Sequence, residues 1–209
     1  MRLHEGIPRE GLVVEGATLA ELQRDAAGQN DPVFQAAVAA LQHPVREAVV
    51  EVTGPVGDRR LVFSFGEDVV AVLMARPGKP AELAAVTPDA VPAVIAKTIG
   101  LGPGLALEGE AFTVPVGDVE ALTAPPYAFA GDMAESALGL ALSGKQWGMT
   151  RFETVITDAS GAEDQFGIEL IGAAGTGWWW IEREEWSATV TPSRAAMAWS
   201  LFCGLLVEE

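Results

Sequence analysis

The sequence predicts an α+β fold of two pseudo-twofold-related halves, each an antiparallel β-sheet flanked by helices. Three observations predict it. Short runs rich in β-branched and aromatic residues, separated by Gly and Pro turns, occur in two successive sets. Each set ends in an apolar run opened by the same tripeptide, Val86-Thr87-Pro88 and Val190-Thr191-Pro192. The tripeptides stand 104 residues apart, and the same gapless offset matches Thr53 with Thr157, Gly57 with Gly161, Ala84 with Ala188, Gly100 with Gly204 and Leu101 with Leu205. A fixed offset is the mark of an internal repeat. The halves are placed at residues 1–104 and 105–209, joined at Gly102-Pro103-Gly104, and together form one compact unit of two β-rich layers.

In the first half, Leu12 to Glu15 reads as a short extended segment. Asp31-Pro32 opens a helix with Phe34, Ala37, Val38 and Leu41 on one face, and Pro44 ends it. Ala48 to Thr53 is a strand, Gly54 to Asp58 a turn, and Leu61 to Phe65 the return strand. Val69 to Ala75 and Glu82 to Val86 are two more strands. Thr87 is expected to cap the next helix, with Pro88 at its first position, Val91, Val94, Ile95 and Ile99 inside and Gly100 at the C-cap.

The second half repeats the plan. Phe112 to Val116 is extended, and Asp132 opens a helix with Glu135 as its capping-box partner. Strands follow at Arg151 to Thr157, Gln165 to Ile171, Trp178 to Glu182 and Trp186 to Val190. Thr191-Pro192 is expected to open the last helix, with Ala196, Trp199, Phe202, Cys203 and Leu206 available for burial.

Composition narrows the function. The chain has 209 residues, 49% hydrophobic and 20% charged, which is globular rather than disordered. Thirteen basic against 29 acidic residues give a net charge of −16. That field repels phosphate backbones and anionic lipids, so neither nucleic acid nor membrane insertion is expected. No apolar run reaches the roughly 20 residues of a membrane helix, and Met1 to Ile7 has no signal-peptide core. With a single cysteine, Cys203, no intrachain disulfide forms, and a cytoplasmic protein is the expectation. The excess of Arg over Lys and the abundant Ala and Gly point to a GC-rich genome.

Catalytic equipment is sparse. His4 and His43 lack a visible partner to make either a general base. Cys203 lies in an apolar run, where a thiol packs as a small hydrophobe. Asp158, Glu163 and Asp164 surround a turn, but their spacing fails a calcium loop. Gly100, Gly102 and Gly104 follow a helix and precede a strand, the reverse of a dinucleotide fingerprint. The chain is therefore expected to bind another protein, without catalysis, cofactor or metal.

Two segments are candidates for that contact. The turn Gly54 to Arg60 carries Val56 at its tip, with Asp58, Arg59 and Arg60 beside it. The run Trp178-Trp179-Trp180 places Trp178 and Trp180 on one strand face and Trp179 on the other, with Arg183 at the rim. Such a strand is either a core strand buried on both sides or an aromatic binding surface. The candidate partner-binding residues are thus Val56, Asp58, Arg59, Arg60, Trp178, Trp180 and Arg183.

The arrangement resembles the EspG family, the cytosolic chaperones of the actinobacterial ESX (type VII) secretion systems. The residues that carry the resemblance are Leu41-x-x-Pro44 at a helix end, the hairpin VVEVTGPVGDRRLVFSF, the strand VVAVLMA, and AAVTPDAVPAVIAKTIGL. FTVPVGDVEAL, RFETVITDASGAEDQFGIELI and SATVTPSRAAMAWSLFCGLL continue it. The resemblance implies a chaperone that binds the tip of a helical PE–PPE-type pair, keeps it soluble and marks it for export. In the family the loop after the first hairpin strand helps grip the substrate; here, after Thr53, it is compact. A small-ligand binder with a pocket between its halves, or a structural homodimer, is the alternative.

Overall fold

The computed structural model describes residues 3–4, 12–14, 24–25, 27–28, 30–55, 57–79, 81–102, 109–122, 136–143, 146–157, 163–173 and 177–206. The strands are β1 (Leu3–His4), β2 (Leu12–Val14), β3 (Arg46–Thr53), β4 (Arg59–Phe65), β5 (Val70–Ala75), β6 (Ala81–Val86), β7 (Phe112–Pro115), β8 (Trp147–Thr157), β9 (Glu163–Ala173), β10 (Gly177–Arg183) and β11 (Ser187–Ser193). The helices are α1 (Pro32–Gln42), α2 (Val91–Ile99), α3 (Val116–Ala121), α4 (Ala137–Leu142) and α5 (Ala195–Leu206).

The strands form one 11-stranded sheet, in the order β1-β6-β5-β4-β3-β8-β9-β10-β11-β7, with β2 also paired to β6. All these pairings are antiparallel except β1 with β6. The expected two β-layers are therefore one continuous sheet. The reason lies in β3 and β8, the first strand of each predicted set. They pair along their length, from Arg46↔Ile156 to Thr53↔Met149, so neither is left as an open edge. Both sets run four strands and then a helix, and their order is mirrored outward from the β3–β8 seam.

Alternation along the strands sorts side chains onto two faces. On the first face, Ala48, Val50, Leu61, Phe63, Val72, Val86, Phe152, Leu170 and Trp178 pack under α2 and α5 as one cluster. Phe202 of α5 meets Phe152 edge-on, with ring centroids 5.6 Å apart. On the second face, α1 covers the β5–β6 side through Phe34, Ala37 and Val38 against Ala71, Leu83 and Ala85. At the far side of that face, Val119, Leu122, Leu138 and Leu142 of the α3–α4 region cover Trp147, Met149, Ile171, Trp179, Ile181 and Val190.

Helix starts obey the capping rules only in part. Asp31 caps α1, accepting from Val33 N and Phe34 N at 3.0 and 3.1 Å. Gly100 ends α2 with φ 75°, the left-handed geometry that suits glycine. The expected opening of a helix at Asp132 lies outside the described residues; α4 itself is capped by Ser136, whose Oγ accepts from Gly139 N at 3.0 Å.

The Val-Thr-Pro tripeptides depart from expectation. Thr191 and Pro192 open no helix: they extend β11, opposite Trp180 and Trp179, and α5 starts at Ala195. Proline is tolerated there because β7 pairs β11 only as far as Val190, so this stretch has one strand neighbour. Thr87 precedes the 3-10 turn Pro88–Ala90 but makes no side-chain cap. Its own carbonyl takes Ala90 N at 3.0 Å. Its Oγ1 is buried with no hydrogen-bond partner among the described residues. Removing a cap would cost about 1 kcal/mol, whereas replacing an unsatisfied hydroxyl by a methyl removes a desolvation penalty of about 1–3 kcal/mol. Thr87→Val is therefore expected to leave the denaturant midpoint unchanged or raise it. A fall would restore the capping role.

Candidate partner-binding face

Among the described residues, the two helical covers on the second face leave its middle open. There the register writes a ladder of alternating charge. Arg60 of β4 faces Glu51 of β3, Glu51 faces Arg151 of β8, and Arg151 faces Glu169 of β9. Arg183 of β10 reaches the same Glu169 from the other side, Nε to Oε2 at 2.5 Å. Arg151 Nε and Nη2 donate to Glu169 Oε1 at 2.8 and 2.6 Å. The outer pair, Arg60 to Glu51, is looser at 3.5 Å. One row further along the strands run Val62, Val49, Glu153 and Gly167.

Burial grades along this ladder. The Glu169 side chain is 13% exposed, Arg183 25% and Arg151 41%. Burial alone would pull the Arg151 guanidinium down. Its hydrogen bond and attraction to Glu169 outweigh that and hold it above its usual value. The three side chains form the wall of a depression completed by Glu153, Gly167, Ile168 and Ile181. Exposed cross-strand ion pairs contribute only about 0.2–1 kcal/mol each, so this ladder is weak as a stability device.

The structure separates the candidate residues that the sequence grouped. Arg60 and Arg183 share the open face, as members of the ladder. Arg59 points to the other face, where Nη1 donates to Thr98 O at 3.0 Å and ties the hairpin to the end of α2. Asp58 Oδ1 accepts from Gly54 N at 3.4 Å and braces the turn. Val56 lies outside the described residues. Trp178 is buried and Trp180 half-buried against the α2–α5 core, while Trp179 is buried on the opposite face. Trp178 lies over Gly172, its register partner, where an added Cβ would stand 2.6 Å from the indole. This strand is thus packed on both sides, and the more exposed tryptophan is Trp186, 78% exposed in the turn after β10. Leu140 on α4 and Met197 and Trp199 on α5 are further exposed apolar side chains.

Glu51, Arg151, Glu153 and Glu169 were not singled out by the sequence. The signal was present: charged residues an even number of positions apart in an apolar strand, as in Glu47-x-x-x-Glu51 and Arg151-x-Glu153, mark one face as open. Which strands then align their charges depends on register, which those positions do not fix.

Among the described residues, no group of three or more His, Cys, Asp or Glu is placed to hold a metal ion. No helix among them is long and apolar enough to cross a membrane.

No family model and no curated protein matches the sequence. The fold does match a solved structure: the type VII secretion system chaperone EspG5 of Mycobacterium tuberculosis, in complex with a PE25–PPE41 dimer. The similarity has a TM-score of 0.53 and 14% identity, over 82% of this chain and 75% of that one. The chain thus has an EspG-like fold, a large antiparallel sheet with flanking helices.

Proposed function

We propose that this protein is a non-catalytic, cytoplasmic chaperone of the EspG type, which binds a helical PE–PPE-like protein pair and keeps it soluble for type VII export. The observation that carries this reading is the fold likeness to EspG5, a chaperone solved with a PE–PPE dimer on it. The motif resemblance in the sequence supports it independently of the coordinates. The open middle of the second sheet face supplies a surface, bordered by α1 on one side and the α3–α4 region on the other. Val49 and Val62 are half-buried there and offer apolar contact, and the ladder offers fixed charges for orientation.

The test is co-expression with a PE–PPE-type pair from the same genome, scored by the soluble fraction of that pair. The chain should raise it, and the Val49→Asp, Val62→Asp double variant should not, while keeping its own thermal midpoint within a few degrees. Equal soluble yields with wild type, the variant and no chaperone would overturn the reading.

We also read the chain as a duplication of one half, at 1–104 and 105–209. In the seam, Val49 faces Glu153, two residues separated by the repeat offset of 104, as a twofold axis through that pair requires. The second hairpin slips by one residue: Val50 pairs Leu61, whereas Thr154 pairs Phe166 rather than Gln165. An experimental structure in which residues 48–101 and 152–205 fail to superpose strand for strand would contradict it.

A further inference from the structure

The depression beside Glu169 holds more hydrogen-bonding capacity than the protein itself uses. Glu169 takes Nε and Nη2 of Arg151 and Nε of Arg183. A guanidinium carries five N–H donors. No internal acceptor is shown for Arg183 Nη1 and Nη2 or for Arg151 Nη1 among the described residues. Both guanidiniums are partly buried and are oriented by one shared carboxylate. Arg151 and Arg183 are balanced by Glu169 and Glu153, and Glu51 beside Arg151 by Arg60, so the depression is locally neutral in a chain whose net charge is −16. Glu153 lies 3.9 Å from Arg151 Nε, beyond hydrogen-bond length, and is 44% exposed, so it balances charge without taking a donor.

The geometry points to a carboxylate-binding site formed by Arg151 and Arg183, filled by an acidic side chain of the protein partner. Guanidinium forks match a carboxylate in shape and charge. Because Glu169 already holds both forks, little side-chain freedom remains to be lost on binding. The acidic field of more distant residues is screened beyond the Debye length, about 8 Å at physiological salt, so an incoming anion meets a neutral patch that offers directed N–H donors. The floor of Gly167, with Ile168 and Ile181 beside it, leaves room for a short side chain to reach them. The identity of the occupant as a protein side chain rests on the chaperone reading above; the carboxylate site does not.

The site is tested first without any partner. Arginine Nε–Hε resonances are followed by NMR during titration with sodium acetate, with chloride holding the ionic strength at about 0.15 M. Arg151 and Arg183 should shift and saturate with a dissociation constant of roughly 10 mM. Arg76, paired with Glu82 on the surface, serves as the internal control and should not respond. Arg183→Gln should abolish saturation at Arg151. Glu153→Gln should tighten acetate by about 2–5-fold, the size of one exposed charge contact. Shifts no larger than those of Arg76 would overturn the site, and tighter binding of inorganic phosphate than of acetate would overturn the carboxylate assignment. In a second arm, Arg183→Gln should weaken the reconstituted chaperone complex about tenfold. If acetate binds but the complex is unaffected, the partner assignment falls and the site stands; if no complex forms, the chaperone reading alone falls.

Discussion

Phe202→Ala is expected to destabilise the protein by about 3–5 kcal/mol, the usual cost of a buried Phe reduced to Ala. Phe202 is fully buried and is the contact through which α5 meets Phe152 on β8. The loss combines removed apolar area with a cavity that two neighbouring elements, a sheet and a helix, cannot easily close. The control lies three positions earlier in the same helix. Trp199 is 40% exposed, so Trp199→Ala should cost far less although it deletes a larger side chain. Chemical denaturation of the two variants reads the difference. Equal losses would mean that α5 docks through a different face.

Gly172→Ala is the second large effect, about 1–3 kcal/mol, and it runs in the opposite sense, by adding one methyl. A Cβ at position 172 would stand 2.6 Å from the Trp178 ring, and Trp178 is buried beneath α5 with little space to move. The cost therefore depends on Trp178. In the Trp178→Leu background the same substitution should become nearly neutral, since a smaller side chain leaves the methyl room. A double-mutant cycle measures the coupling, and additive losses would show that Trp178 does not lie over Gly172.

Much of this fold was legible in the sequence. Turn chemistry at Gly54 to Asp58, Gly66 to Asp68 and Pro77 to Pro80 separates the four strands of the first set, and the observed strands fall between these turns. Asp31-Pro32 and Gly100 announced the ends of helices in the same way, because caps are local physics. The failures are tertiary. Thr191-Pro192 carries the same helix-opening signal as Thr87-Pro88, yet pairing with β10 holds it in the strand for three more residues. The tryptophan run could be read as a core strand or as a binding surface; only the covers on both faces decide, with Trp178 under α5 and Trp179 under the α3–α4 region. The charge ladder was invisible for a related reason. Its members lie on five strands, and although the turns place neighbours within each half side by side, the ladder runs through β3 and β8, which meet from opposite halves of the chain.

The charged residues of the hairpin turn divide between the two faces of the sheet and the turn itself. Arg59 and Asp58 are engaged within the protein, one holding the end of α2 and the other the turn. Of Asp58, Arg59 and Arg60, it is Arg60 that joins the ladder, through Glu51. A partner recognised through the ladder would meet the middle of the sheet rather than the hairpin tip.

The most direct measurement is the mass of the assembly. The purified chain is mixed with a purified PE–PPE-type pair from its own genome and passed through size-exclusion chromatography with light scattering. The account predicts one species whose mass equals the chain plus one copy of the pair, persisting in moderate salt because apolar burial is not screened as exposed charges are. Separate elution of the chain and the pair at the masses of the isolated components would contradict it.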